Sequence, residues 1–176
     1  MNSWDSDYKG NQPTPIYEPL WDMLQVFIQK LSIKTVLDFG CGDGAYSFLM
    51  GEKGLYVTGV DISLTAIKMA VANKNDCKDE KCWFIRHYSI PENLPNDSFD
   101  AVVMLNSYHC LTSIERQGIL SQAKRVLKPE GFLFISALAL EDESYPRQDW
   151  IEIESNTFED AIGRKFHFFS FEELKV

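Results

Sequence analysis

Three glycines stand between a short apolar run and an amphipathic stretch, in Thr35-Val36-Leu37-Asp38-Phe39-Gly40-Cys41-Gly42-Asp43-Gly44. Gly40 permits a tight turn, and Gly42, without a Cβ, lets a ligand come close to the backbone. Amides at such a turn and the positive end of the helix that follows face one crevice. A second acid, Asp61, closes the next apolar run, 21 residues after Gly40. At that distance a carboxylate reaches ribose hydroxyls in nucleoside-binding α/β folds. Its two oxygens can each accept one proton of a vicinal diol.

Asp38 discriminates among nucleoside ligands. Directly before the turn it would repel a pyrophosphate, whereas it would attract a cationic amino-acid group. The glycine rhythm with Asp38 and Asp61 therefore favours S-adenosylmethionine, which joins a nucleoside to an α-amino group and a sulfonium. Gly40-x-Gly42-x-x-Ala45 also satisfies the looser dinucleotide pattern. A nicotinamide-dependent oxidoreductase is thus the alternative, and a non-catalytic or incomplete cofactor-binding module is a third reading.

The surrounding sequence must hold these residues in place. Ile16, Leu20, Leu24, Phe27, Ile28 and Leu31 recur at helical spacing, behind three prolines that blur the helix start. A helix from Ala45 to Lys53 is ended by Gly54, and Leu55 to Val60 reads as a second strand. Ser63 caps a helix whose buried stripe is Ile67, Ala70 and Val71. Cys82 to Arg86 and Ala101 to Leu105 are the third and fourth strands, joined by a loop from His87 to Ser98. Thr112-Ser113-Ile114-Glu115 is a capping box. Its helix carries Ile119, Leu120, Ala123, Val126 and Leu127 on one face and stops at Lys128-Pro129-Glu130-Gly131. Phe132 to Ala137 is the fifth strand.

Strands alternating with helices imply an α/β, Rossmann-like fold, a mainly parallel sheet with helices on both faces and about five strands. Residues 1–34 read as a lead-in and helix, 35–140 as the cofactor-binding core, and 141–176 as a lid-like insertion with a truncated end, all one domain. The stretch 141–165 has no clear period and is long for a structureless loop. Ser170 and Glu173 form a second capping box just before the chain stops.

Four of these segments resemble class I S-adenosylmethionine-dependent methyltransferases, in the family's order. They are Val36 to Gly44, Gly59-Val60-Asp61-Ile62-Ser63, Asn93 to Val103, and Ala123 to Phe132. Residues 167–174 are further similar to the small tellurite-resistance type. The resemblance implies that Asp38, Gly40 and Gly42 hold the methionine end, with Cys41 packed in the turn. It also implies that Asp61 binds the ribose diol, Ile62 lies against adenine and Asn106 lies beside the cofactor. Members commonly place an acid after the third strand, where this chain reads Tyr88-Ser89-Ile90-Pro91. Ser89 or the Ile90 backbone would substitute there. Ser107, Tyr108 and His109 would face the acceptor. The family usually adds a helix and an antiparallel strand pair after strand five, which this sequence is expected to lack.

Methyl transfer from a sulfonium needs alignment and excluded water, and a base only when the acceptor arrives protonated. His109, with an ordinary pKa near 6.5, is the candidate base, though loop histidines also serve simply to shape a pocket. Tyr108 is the candidate substrate contact. Cys110 reads as a buried thiol rather than a nucleophile, and His87 as solvent-facing. Phe166, Phe168, Phe169 and Phe171 read as packing rather than a substrate cover. Asp38 could instead stabilise the turn, and Asp61 could cap a helix, although Ser63 suits that role better. Trp4, Tyr8 and Tyr17 would cover the site or pack on the domain.

Seventeen basic against 26 acidic residues give a formal charge of −9. That disfavours a nucleic-acid partner, whose phosphates are held by Lys and Arg, and points to a small-molecule acceptor. No run reaches the length of a membrane span, and the polar, acidic start is unlike a secretory leader, so a cytoplasmic protein without membrane partners is expected. The four cysteines read as reduced thiols, and Cys77 with Cys82 lacks a matching pair at zinc spacing, so no metal is expected. Cys77 is expected in a loop. The fifth strand would form an open sheet edge, through which two copies could pair.

Overall fold

The computed structural model describes residues 3–8, 10, 12–77, 81–143 and 149–174, with the backbone alone at 75–77. Its main sheet contains β1 (Thr35–Phe39), β2 (Tyr56–Asp61), β3 (Cys82–Arg86), β4 (Phe99–Leu105) and β5 (Leu127–Ser136). All four pairings are parallel, in the spatial order β3-β2-β1-β4-β5. The chain runs outward from β1 to β3, then returns to the other side of β1. That reversal leaves a crevice beyond the carboxyl ends of β1 and β4, the usual ligand position of an open α/β sheet.

Side-chain alternation along the strands divides the core into two layers. Val36, Val57, Ala101 and Val103 pack with Leu20, Leu24 and Ile28 of α1 (Glu18–Lys30) and Met50 of α2 (Ala45–Glu52). Leu37, Val60, Val102 and Met104 pack with Ile119, Ala123 and Val126 of α4 (Ser113–Val126). Leu24 is fully buried, and truncating such a leucine to alanine costs roughly 2–5 kcal/mol. Pro19 occupies the first turn of α1, where its missing N–H breaks no helical bond.

The caps are where the sequence places them. The Thr112 hydroxyl accepts from the Glu115 amide at 3.4 Å, and the Glu115 carboxylate accepts from the Thr112 amide at 2.7 Å. Ser63 accepts from the Ala66 amide at 3.1 Å and starts α3 (Leu64–Cys77). Two details differ. The buried face of α3 is Ala66, Ile67 and Ala70, with Val71 turned to solvent, and the helix runs on to Cys77 instead of leaving it in a loop.

Among the described residues the main sheet ends at β5 without an antiparallel pair beside it, and a separate small sheet follows instead. β6 (Ile151–Glu154), β7 (Thr157–Glu159) and β8 (Lys165–His167) make a separate three-stranded antiparallel sheet. The stretch read as a lid without secondary structure therefore contains most of this sheet; its residues 144–148 lie outside the described ones. The sheet is fastened to the domain through buried Phe168 and Phe169 and through Phe169 stacked on Tyr108 at 5.6 Å. Phe171 is exposed. The second capping box also forms, with the Glu173 carboxylate accepting from the Ser170 amide at 2.8 Å.

Candidate functional site

The glycine turn is locked by β2. The amides of Gly40 and Cys41 both donate to the Val60 carbonyl, at 2.7 and 3.1 Å. Gly40 and Gly42 have φ of 78° and 57°, in the left-handed region that side chains resist. A Cβ on Gly40 would collide with Ser107, whose hydroxyl donates to the Phe39 carbonyl at 2.6 Å. A Cβ on Gly42 would lie 2.5 Å from the Tyr8 hydroxyl.

Asp61 stands across the turn. One of its oxygens accepts the Gly42 amide at 2.9 Å, and the other accepts the Ser63 amide at 2.7 Å. The carboxylate thus fixes the shape of the crevice, and each oxygen keeps further acceptor capacity. Burial raises its pKa against the pull of those amides, and Asp5 adds to the rise. Asp38 is buried beneath the turn and accepts the Ser47 hydroxyl at 2.6 Å. Burial pushes its carboxyl up to about 7, the Ser47 bond opposing the shift and the Asp61 charge adding to it.

A cavity of about 620 Å³ opens at this point, within the range of small-molecule sites. Of the residues expected to bind a cofactor, Asp38, Gly40, Cys41, Gly42, Asp61, Ile62, Ser89 and Asn106 all line it. Ile90 does not. It is buried in the layer beneath the sheet with Leu37 and Phe99. His87 is at the wall rather than solvent-facing, stacked on Tyr88 at 4.6 Å, with its Nδ1 2.7 Å from the Ser89 carbonyl oxygen and 3.1 Å from the Ser89 amide.

Tyr108 and His109 are absent from the cavity lining, contrary to the sequence reading. They belong to a 3-10 turn, Tyr108–Cys110, in which each successive residue rotates by about 120°. Tyr108 turns to Phe169, and His109 to Phe166, its ring centroid 6.3 Å away. The next two residues, Cys110 and Leu111, reach the cavity instead. Among the described residues His109 Nδ1 is buried without a hydrogen-bond partner, and burial lowers the ring's pKa to about 4. Burial likewise raises the Cys110 thiol well above its ordinary range, so it stays protonated.

Much of the wall comes from the first residues of the chain. Ser3 to Ser6 form a 3-10 turn whose Asp5 accepts the Ser63 hydroxyl at 2.6 Å and the Thr65 amide at 3.2 Å. The Thr14 amide donates to Asp43 at 2.7 Å, and the Tyr17 amide to the Tyr46 hydroxyl at 3.0 Å. Trp4, Tyr8 and Tyr17 all line the cavity. Burial raises the Tyr8 phenol, and the charges of Asp61 and Asp43 push it further. This strap also meets the small sheet, where Trp4 packs edge-on against Phe166 at 5.6 Å. Arg164 lies over both rings, at 5.8 and 5.6 Å.

A methyltransferase-domain family model matches residues 37–135, more than half of the chain. The chain is 36% identical over 118 residues to a demethylmenaquinone methyltransferase of Tropheryma whipplei, covering 65% of this chain and 44% of that protein. It is 30% identical over 140 residues to a ubiquinone biosynthesis O-methyltransferase of Actinobacillus pleuropneumoniae, covering 77% and 58%. It thus spans about half the length of these relatives. A solved S-adenosylmethionine-dependent methyltransferase from Methanosarcina mazei superposes with a TM-score of 0.72 at 26% identity, covering 92% of this chain and 82% of that one. Among the described residues, no helix is long and apolar enough to cross a membrane. With its strand order, its glycine turn and the acid ending β2, the chain belongs to the class I S-adenosylmethionine-dependent methyltransferases.

Proposed function

We propose that this chain transfers a methyl group from S-adenosylmethionine to a small-molecule acceptor by in-line displacement. The observation that carries the reading is Asp61, held by the Gly42 and Ser63 amides at the edge of the 620 Å³ cavity. The crevice suits the cofactor. Gly42, without a side chain, lets the wall close in on the turn as near as the Tyr8 hydroxyl, and acids outnumber the one lysine among the described residues around a ligand that carries positive charge. When bound, the cofactor supplies an electrophilic methyl carbon, whose bonding pair returns to sulfur as the acceptor's lone pair forms the new bond.

The residues of this chain bind, orient and exclude water. Asp61 is assigned to the ribose diol, Ile62 to one face of the adenine, and Ser89 to the adenine edge. Asp38 with Gly40 and Gly42 is assigned to the amino-acid end, and Asn106 lies alongside. Trp4 and Tyr8 cover the crevice and keep water from the reacting centre, which supports alignment as the main source of rate. The −9 charge favours a small acceptor over nucleic acid, and so do the names of two relatives, a demethylmenaquinone methyltransferase and a ubiquinone biosynthesis O-methyltransferase, although a tRNA U34 carboxymethyltransferase of Pseudoalteromonas translucida also matches this chain, 32% identical over 146 residues.

Calorimetry with S-adenosylhomocysteine tests the assignment. Asp61→Ala should weaken binding by about tenfold or more, the scale of a lost charge-assisted hydrogen bond. Undiminished binding in that variant would remove the ribose contact. Saturable binding of NADH without S-adenosylhomocysteine binding would favour the oxidoreductase reading.

A further inference from the structure

The cavity wall follows the strand order. Asp61, His87 and Ser89 lie at the β2 and β3 side, while Cys110, Leu111 and Glu115 lie at the β4 and α4 side. On this second side stands Lys165 of β8, the only Lys or Arg among the described residues that line the cavity. Its Nζ is 3.2 Å from each oxygen of Glu115. The pair is half-exposed, at 30% and 46%, so it holds weakly and can be exchanged.

The two partners are unequally fixed. The Glu115 carboxylate is pinned by the Thr112 amide at 2.7 Å and the Thr112 hydroxyl at 2.8 Å as part of the α4 cap. Burial tends to raise its pKa, yet those bonds and Lys165 outweigh it and hold the group below its usual range. Among the described residues the Lys165 ammonium pairs with Glu115, on a flexible stem with one donor beyond the two given to that carboxylate. It is the movable member.

Asp61, Cys110 and Asp38 are poor proton acceptors for a substrate on this side. Both oxygens of Asp61 take backbone amides, and the Cys110 thiol is held protonated by burial. Asp38 lies under the glycine turn, bonded to Ser47. An acceptor that arrives as an anion needs no base. Trp4, Leu111 and Ile119 offer such a molecule flat, apolar walls.

We propose, resting on the methyltransferase reading above, that the acceptor is a small aromatic anion whose charged oxygen or sulfur is met by Lys165 in exchange for Glu115. The anion's lone pair forms the bond to the methyl carbon and the carbon–sulfur pair goes to sulfur. The positive charge of the sulfonium and the negative charge of the acceptor cancel, and no proton moves.

The test is calorimetric titration of 2-naphthoate and the uncharged 2-naphthamide into the protein, with and without S-adenosylhomocysteine. Naphthoate should bind about tenfold more tightly than naphthamide, the scale of one hydrogen bond to a charged group. Lys165→Met should abolish the preference, Lys165→Arg should keep it, and Glu115→Gln, which can still cap α4, should strengthen naphthoate binding. Equal binding of the two probes, binding of neither, or a preference that survives Lys165→Met overturns the proposal. Failure of S-adenosylhomocysteine to bind strikes the cofactor reading instead, because the anion preference is read in the cofactor-free protein as well.

Discussion

Arg164 and Asp7, 157 residues apart in the chain, meet at 2.6 Å over the cofactor crevice. Arg164 is aimed by Asp160, which accepts its Nε at 2.7 Å and its amide at 2.9 Å. The N-terminal strap is thereby clasped to the turn that leads into β8. The clasp stands beside the crevice, whose wall includes Asp7, Gly163 and Lys165.

Breaking the clasp should speed ligand loss more than it alters the bound state. The pair is partly exposed, so its contribution is about 0.2–1 kcal/mol. Asp7→Asn should therefore raise the dissociation rate of S-adenosylhomocysteine by about two- to fivefold in a stopped-flow chase. Arg164→Met combined with Asp7→Asn should add little beyond Arg164→Met alone.

Gly42→Ala should destabilise the protein and weaken the cofactor together. At φ 57° a Cβ costs about 1–2 kcal/mol, and here it also meets the Tyr8 hydroxyl. Denaturant unfolding should show that loss, and Tyr8→Phe in the same chain should recover part of it. Strict additivity of the two substitutions would mean that Tyr8 does not sit on this turn.

Asp38 gives a pH dependence of defined sign. Its carboxyl, raised from 3.8 to about 7 by burial, stays protonated in the folded state where the unfolded chain has already ionised. Its contribution to stability is therefore full below about pH 4 and is lost as pH rises to about 7, with little change above. Asp38→Asn should flatten that slope. A cofactor ammonium selects the ionised form, so S-adenosylhomocysteine affinity should rise with pH up to about 7 and level off above it, and the variant should lose this trend. Calorimetry from pH 5.5 to 8.5 checks both.

His109 slopes the other way. With a ring pKa lowered from 6.5 to about 4 by burial, it contributes stability above pH 6.5 that is lost as pH falls toward 4. His109→Phe should remove that acid sensitivity, most cleanly in the Asp38→Asn background. Its kcat/KM should stay within about threefold of the parent, whereas loss of a general base costs about 10²–10⁴-fold. A loss of that size would restore His109 to the chemistry.

The cofactor half of the crevice was readable because it rests on local constraints. The glycines are demanded by backbone dihedrals, Asp61 by its position at the end of β2, and Thr112 with Glu115 by the geometry of one helical turn. The acceptor half depends on rotation and distance instead. The turn at Tyr108–Cys110 decides which of four consecutive residues enters the cavity, and nothing in their types reveals the angle. The strands of the small sheet are three or four residues long, too short for an alternation to emerge. Contacts such as Asp5 with Ser63 join polar residues 58 positions apart and leave no periodic trace.

The strap and the small sheet lie outside the 37–135 segment shared with the family, yet they supply Trp4, Tyr8 and Lys165 to the cavity. The side of the cavity assigned to the acceptor thus draws on Leu111 and Glu115 of the shared segment and on Lys165 outside it. Grafting residues 3–17 and 149–170 onto a relative's central segment ought to transplant the share of acceptor choice that Lys165 carries.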